Sequence, residues 1–146
     1  MSKAFTKEDD TPLERSTRTR TTPGLPPGAP NYMTVDGAKR LRVELTNADG
    51  ERAAEAERVL ASVTIVERPV EIPEAVVIGA KVQLRDADGN TESFRIVGVD
   101  EAHFEPEWVS WTSPIGRSLL GAEVGERVML EVDGRHRKFT IVRIDF

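Results

Sequence analysis

Residues 113–121 read Ser113-Pro114-Ile115-Gly116-Arg117-Ser118-Leu119-Leu120-Gly121. Both ends of a short helix are marked here. Ser113 can accept from the first free N–H groups. Pro114 suits the first helical position, where its missing N–H costs nothing. Gly121 can take the left-handed conformation that closes a last turn. About two turns of helix do not persist alone in water. Something must hold this helix, and the flanking segments have the pattern of strands.

Downstream, Arg127 to Val132 alternates, with Val128, Leu130 and Val132 on one face. Asp133-Gly134 is a two-residue hairpin signal. His136 to Ile144 returns as a nearly continuous apolar strand, which suits a central position. Upstream, Lys81 to Arg85 alternates with Val82 and Leu84 inward, and Asp86-Ala87-Asp88-Gly89-Asn90 is turn chemistry. Ser93 to Val99 and Glu107 to Thr112 complete five strands. Five strands and one short helix over residues 76–146 predict a small antiparallel α+β domain. Trp108 and Trp111 fall in the third strand, where opposite faces would place one inward and one outward as an exposed contact point.

Before this domain, residues 34–46 read as a helix with Thr34 as N-cap and Ala38, Leu41 and Leu45 on one face. Asn47-Ala48-Asp49-Gly50 breaks it. Residues 51–64 resume, with Ala53, Ala56, Leu60 and Val63 as the apolar stripe. Two such helices around a tight turn predict an antiparallel hairpin over 31–66, each arm roughly 20 Å long at 1.5 Å per residue. The stripe is thin and alanine-rich, so the hairpin should lean on the other domain or another chain. Residues 67–75, with Pro69 and Pro73, read as a stiff linker. Residues 1–30 read as a disordered tail, polar and ending in Pro23-Gly24-Leu25-Pro26-Pro27-Gly28-Ala29-Pro30. Arg15, Arg18 and Arg20 could touch nucleic acid or an acidic surface, but nearby acids almost balance them.

Composition narrows function. The chain has 146 residues and a net charge of -5. That charge argues against unaided nucleic-acid binding, which displaces counterions with concentrated positive charge. With no cysteine, there is no disulfide, thiolate zinc site or cysteine nucleophile. No apolar run reaches membrane length and no apolar leader opens the chain, so a cytoplasmic, membrane-free monomer is expected. His103 and His136 lack companions at metal-ligand spacing. Ser118 has no His/Asp arrangement around it, so no triad is expected. Asp86, Asp88 and Asn90 imitate a calcium loop, but Gly89 and the missing downstream Glu favour a hairpin turn. Neither a catalytic centre of its own nor a metal or cofactor is therefore expected.

Ser113-Pro114-Ile115-Gly116-Arg117-Ser118-Leu119-Leu120-Gly121-x-x-Val124-Gly125 resembles the C-terminal signature of the bacterial Gre transcript-cleavage factors. Phe94-Arg95-Ile96-Val97-Gly98-Val99-Asp100-Glu101-Ala102 resembles a strand of the same domain, and Asn31-Tyr32-Met33-Thr34 with Gly37, Arg40 and Leu41 resembles the opening of the family's first coiled-coil helix. Met1 to Asp10 resembles the extended N-terminus of GreB-type members. The resemblance implies an FKBP-like C-terminal domain that docks at the secondary channel of bacterial RNA polymerase, with nucleic acid met only indirectly. It places Ser113, Pro114, Ile115 and Arg117 at that contact. It also implies a long coil whose acidic tip helps hold a catalytic Mg2+ in the polymerase. Here the long arms and that tip are missing between Leu45 and Leu60. Asp49 and Glu51 lie near the apex, either as a shortened acidic tip or as plain turn chemistry at a helix N-terminus; the second reading is favoured. The expectation is a Gre-like elongation factor that modulates or competes rather than stimulating cleavage. The alternatives are a cleavage stimulator using Asp49 and Glu51, and an FKBP-type peptidyl-prolyl isomerase. With aromatic residues at 5% of the chain, the isomerase pocket would be poorly furnished.

Overall fold

A computed structural model describes residues 25–146; the expected contacts of Arg15, Arg18 and Arg20, and most of the predicted tail, lie outside them. The described elements run β1 (Tyr32–Thr34), α1 (Val35–Asn47), α2 (Gly50–Ser62), β2 (Thr64–Val66), β3 (Lys81–Asp86), β4 (Thr91–Val97), β5 (Trp108–Ser110), α3 (Pro114–Leu119), β6 (Arg127–Val132) and β7 (Arg135–Asp145). A single 3-10 turn, Ala102–Phe104, lies between β4 and β5.

Helix α1 starts where capping chemistry predicts. Thr34 is extended and its side chain accepts from the Gly37 N–H. The α1–α2 pair shares a small core of Met33, Ala38, Leu41 and Ala56, with Leu45, Val59, Leu60 and Val63 at its edge. Phe104, from beyond β4, packs on the same cluster. The thin alanine-rich stripe thus finds its partner in the β-rich head, as its weakness predicted. The base of the hairpin is also tied by a feature absent from the pattern: β1 and β2 pair in parallel, Tyr32 to Thr64 and Thr34 to Val66. Three-residue strands carry too little periodicity to be seen in a sequence.

The head is a five-stranded sheet in the order β5-β4-β3-β7-β6. Strand β7 is interior, as expected, but it is buried on one face only: Lys138 and Arg143 are exposed on the other. The pairs β3–β4, β3–β7 and β6–β7 are antiparallel. The edge strand corrects the all-antiparallel expectation: β5 joins β4 in parallel, with Arg95 opposite Trp108. The chain leaves β4, turns back through residues 98–107, and runs again in the same direction beside the last three residues of the strand it left. Turn residues mark where a strand ends but not the direction of the next one. One face of the sheet buries Val82, Leu84, Ile96, Leu130, Phe139, Ile141 and Ile144 against Leu119 of α3, Val76, Ala80 and Ala122. The opposite face is covered by the hairpin base at its β4–β5 end.

The tryptophans correct a second expectation. Trp108 is buried. Trp111 lies just past β5, packs against the main core and meets Tyr32 edge-on at 5.6 Å. Neither is an exposed contact point, because the hairpin covers the face on which one would have shown.

Candidate functional site

Helix α3 forms as its sequence dictates. The Ser113 hydroxyl accepts from the Gly116 N–H at 3.0 Å and donates to the Ser110 carbonyl at 2.7 Å. The donor and one of the two acceptor sites of the Ser113 hydroxyl are used inside the chain, so it shapes the turn. Gly116 is obligatory: a Cβ there would lie 2.1 Å from the Ser110 carbonyl oxygen. Leu119 is fully buried, and Ile115 and Leu120 pack partly on the core. Pro114 and Arg117, three residues apart and so on one helix face, are exposed. Of the four candidates, Pro114, Arg117 and the free part of Ile115 form a displayed ledge. Ser118 is also exposed, on a helix with no histidine.

At the hairpin apex, Ala48 ends α1 and Asp49 occupies the N-cap position of α2 without a side-chain cap bond. Glu51 sits in the first turn of α2, and both acids are exposed. Glu51 lines a shallow groove along the hairpin with Glu44, Glu55, Asp100 and His103. Among the described residues, no three His, Asp or Glu side chains are grouped to hold a metal ion. The calcium-loop imitation is a turn: Asp86 Oδ1 accepts from the Asp88 and Asn90 N–H groups at 2.9 Å, and Oδ2 accepts from Arg137 at 2.6 Å. Partial burial works to raise the Asp86 carboxyl, but Arg137, Asn90 and Asp88 outweigh it and hold it below the ordinary aspartate value.

The joint between hairpin and head was not legible as a site. Glu101 is fully buried. Its Oε2 accepts from the Thr34 N–H at 2.8 Å and the Gly98 N–H at 2.7 Å, and its Oε1 accepts from the Thr34 hydroxyl at 2.5 Å. Thr34 caps α1, so a head carboxylate is seated on the helix N-terminus, where negative charge is favoured. Burial still pushes the Glu101 carboxyl above the ordinary glutamate value, although the bonds from Thr34 and Gly98 and the charge of Arg95 pull the other way. Two glycines admit this contact. A Cβ on Gly37 would lie 1.7 Å from Glu101 Oε1, and one on Gly98 would lie 1.8 Å from the Tyr32 carbonyl oxygen. Around this centre, Asp36 pairs with Arg95 at 2.9 Å and Arg40 with Glu105 at 2.7 Å. Both arginines lie over the Trp108 ring, Arg40 at 4.8 Å and Arg95 at 5.1 Å. Asn31 donates to Asp100 at 2.8 Å. Glu101 falls inside the Phe94–Ala102 stretch of the resemblance, but as the second of two adjacent acids just beyond an apolar strand it carries no pattern that separates a buried carboxylate from a solvated one.

The aromatic side chains are thus largely spent in this joint. The hairpin groove, a second cleft beside Asp36 and Arg68, and a third depression beside Lys81 and Arg143 carry one aromatic lining residue between them, Phe146. No helix among the described residues is long and apolar enough to cross a membrane.

The order of strands, the capped Ser113 helix and the Glu101 joint can be set beside known proteins. The family model described as "Transcription elongation factor, GreA/GreB, C-term" matches residues 71–146, just over half of the chain. The transcription elongation factor GreA of Magnetococcus marinus is 35% identical over 96 residues, covering 65% of this chain and 61% of that protein. GreA of Thermotoga neapolitana is 36% identical over the same shares. Among solved structures, the elongation factor GreA/GreB from Nitrosomonas europaea is 23% identical, covering 81% of this chain and 99% of that one, with a TM-score of 0.47. The chain spans about 61% of the length of the curated relatives it matches. The matched region is the whole head, from the strands through the capped helix to the last residue, and on that match the chain belongs to the GreA/GreB family of transcription elongation factors.

Proposed function

We propose that the chain binds bacterial RNA polymerase through the α3 ledge and acts there in transcription elongation as a modulator or competitor, not as a stimulator of transcript cleavage. It would be no enzyme itself. The observation that carries this is the pairing of an intact head with a truncated hairpin. Helices α1 and α2 have 13 residues each, about 20 Å at 1.5 Å per residue, and two residues join them. A carboxylate assists metal chemistry only at bonding distance from the ion. If the head docks as the family resemblance implies, arms this short leave Asp49 and Glu51 far from a catalytic centre deep in the channel. The joint supports the same reading, since Glu101, Arg95 and Arg40 hold the base of the hairpin against the head.

Co-purification with bacterial RNA polymerase tests the docking. Pro114→Ala and Ile115→Asp should weaken binding; unchanged binding in both variants refutes the ledge. Addition to stalled elongation complexes tests the mode of action. The nascent RNA should keep its length, and cleavage by an added cleavage-competent Gre factor should slow. Shortening of the RNA that Asp49→Ala with Glu51→Ala abolishes would establish the opposite reading.

A further inference from the structure

The face of the sheet opposite the main core is only half covered. Register places Arg95 and Trp108 on it, under Asp36 and Arg40 of the hairpin. Toward the β6 edge the same face is open, and its side chains are cationic. Lys81 and Arg85 come from β3, Arg143 and Lys138 from β7 and Arg127 from β6, all exposed. Arg85 and Arg127 each lie opposite Thr140, which puts them in one row across three strands. Lys138, opposite Met129, stands in the next row, and Arg143 lies opposite Gln83 beside Lys81. With strands about 4.8 Å apart and a rise of about 3.3 Å per residue, the five cations occupy roughly 10 Å by 20 Å of sheet.

Two carboxylates share this surface. Asp145 is held by Arg143 at 3.2 Å, and Glu131 lies opposite His136. Five cations less two acids leave +3 on the open half of a chain whose total is -5. Lys81, Arg85, Arg127 and Lys138 make no salt bridge among the described residues. The exposed large apolar side chain here is Met129, alone. Protein–protein contacts are depleted of lysine and centred on apolar or aromatic anchors, whereas nucleic-acid contacts are polar and positive. The open half also lacks aromatic side chains, the platforms on which single-stranded bases stack.

We propose that this open half of the sheet binds the phosphate backbone of a nucleic-acid duplex, without sequence preference. It does not depend on the polymerase contact proposed above. A flat, rigid array of lysine and arginine supplies positioning contacts to phosphates and no readout of base edges. The negative charge of the rest of the chain keeps the affinity low, so the contact matters where a duplex is already held nearby.

The test uses the whole chain and a fluorescent DNA duplex of about 20 base pairs, with anisotropy read between roughly 25 and 150 mM salt. Binding should appear at the low end, with log affinity falling against log salt at a slope of up to about -4. Lys81→Gln with Arg85→Gln and Lys138→Gln should make that slope shallower by about three and weaken low-salt binding at least about ten-fold. The single variant Arg127→Gln should change the slope by about one. Lys39→Gln with Arg42→Gln and Arg52→Gln removes the same charge from the hairpin and should leave most of the binding. The proposal is overturned by no binding at low salt, or by equal loss in the two triple variants. Tighter binding of a single strand than of the duplex, or equal binding of poly-glutamate, overturns it too; the last would identify an acidic protein as the partner.

Discussion

Removing the Glu101 side chain is the sharpest perturbation of the joint. Glu101→Ala takes the acceptor from two backbone N–H groups and one hydroxyl, all at a fully buried position. An unsatisfied buried donor costs about 1–3 kcal/mol. Water entering the vacated space recovers part of this, and the variant no longer buries a charge. The net loss should be on the order of 3–5 kcal/mol, a large share of the roughly 5–15 kcal/mol typical of a domain. Glu101→Gln separates geometry from charge. Its carbonyl can keep the Thr34 and Gly98 N–H groups, while its amide N–H faces a Thr34 oxygen that already accepts from Gly37. That variant should lose only about 1 kcal/mol. Urea denaturation followed by tryptophan fluorescence reads both, because Trp108 and Trp111 lie at the joint. The pH dependence has a definite sign. The folded value of Glu101 is raised above its ordinary 4.5, so its contribution is complete below 4.5 and is lost as pH rises through the folded value. Wild type should therefore gain on Glu101→Gln as pH falls from 7 toward 4.5. A loss under about 1 kcal/mol for the alanine variant, equal losses in both variants, or a slope of the opposite sign refutes this account of the joint.

Gly98→Ala forces a methyl against the Tyr32 backbone carbonyl, which cannot swing aside like a side chain. It should open the base of the hairpin, seen as faster amide exchange across residues 32–34 and 64–66. Ser113→Ala removes the α3 cap and should cost about 1 kcal/mol by thermal denaturation. Leu119→Ala empties a fully buried site between α3 and the sheet and should cost about 2–5 kcal/mol in urea. Arg40→Ala strips one of the two cations from over Trp108 and the partner from Glu105, and should shift tryptophan emission with little change in the sheet.

What was legible in the sequence was everything with a local cause. The Thr34 and Ser113 caps, the Asp86–Asn90 turn, the alternation in β3 and β6 and the interior place of β7 each follow from a few adjacent residues. The matches to Gre signatures are local in the same sense, and they found the family. The hairpin reads as two helices because its breaks lie in Asn47 to Gly50, and its shortness is a simple count.

Only the tertiary structure decided what depends on residues far apart in the chain. Glu101 and Thr34 are 67 positions apart, and nothing in either neighbourhood announces a buried carboxylate on a helix N-terminus. The parallel seat of β5, and with it the burial of Trp108 under two arginines, follows from the direction the chain takes after Gly98, which no periodicity records. The charge of the sheet is the clearest case. Net charge is a sum over the sequence, and a sum of -5 gave no sign of a cationic surface. Strand register then put Lys81, Arg85, Arg127, Lys138 and Arg143 on one face, because apolar neighbours claimed the other.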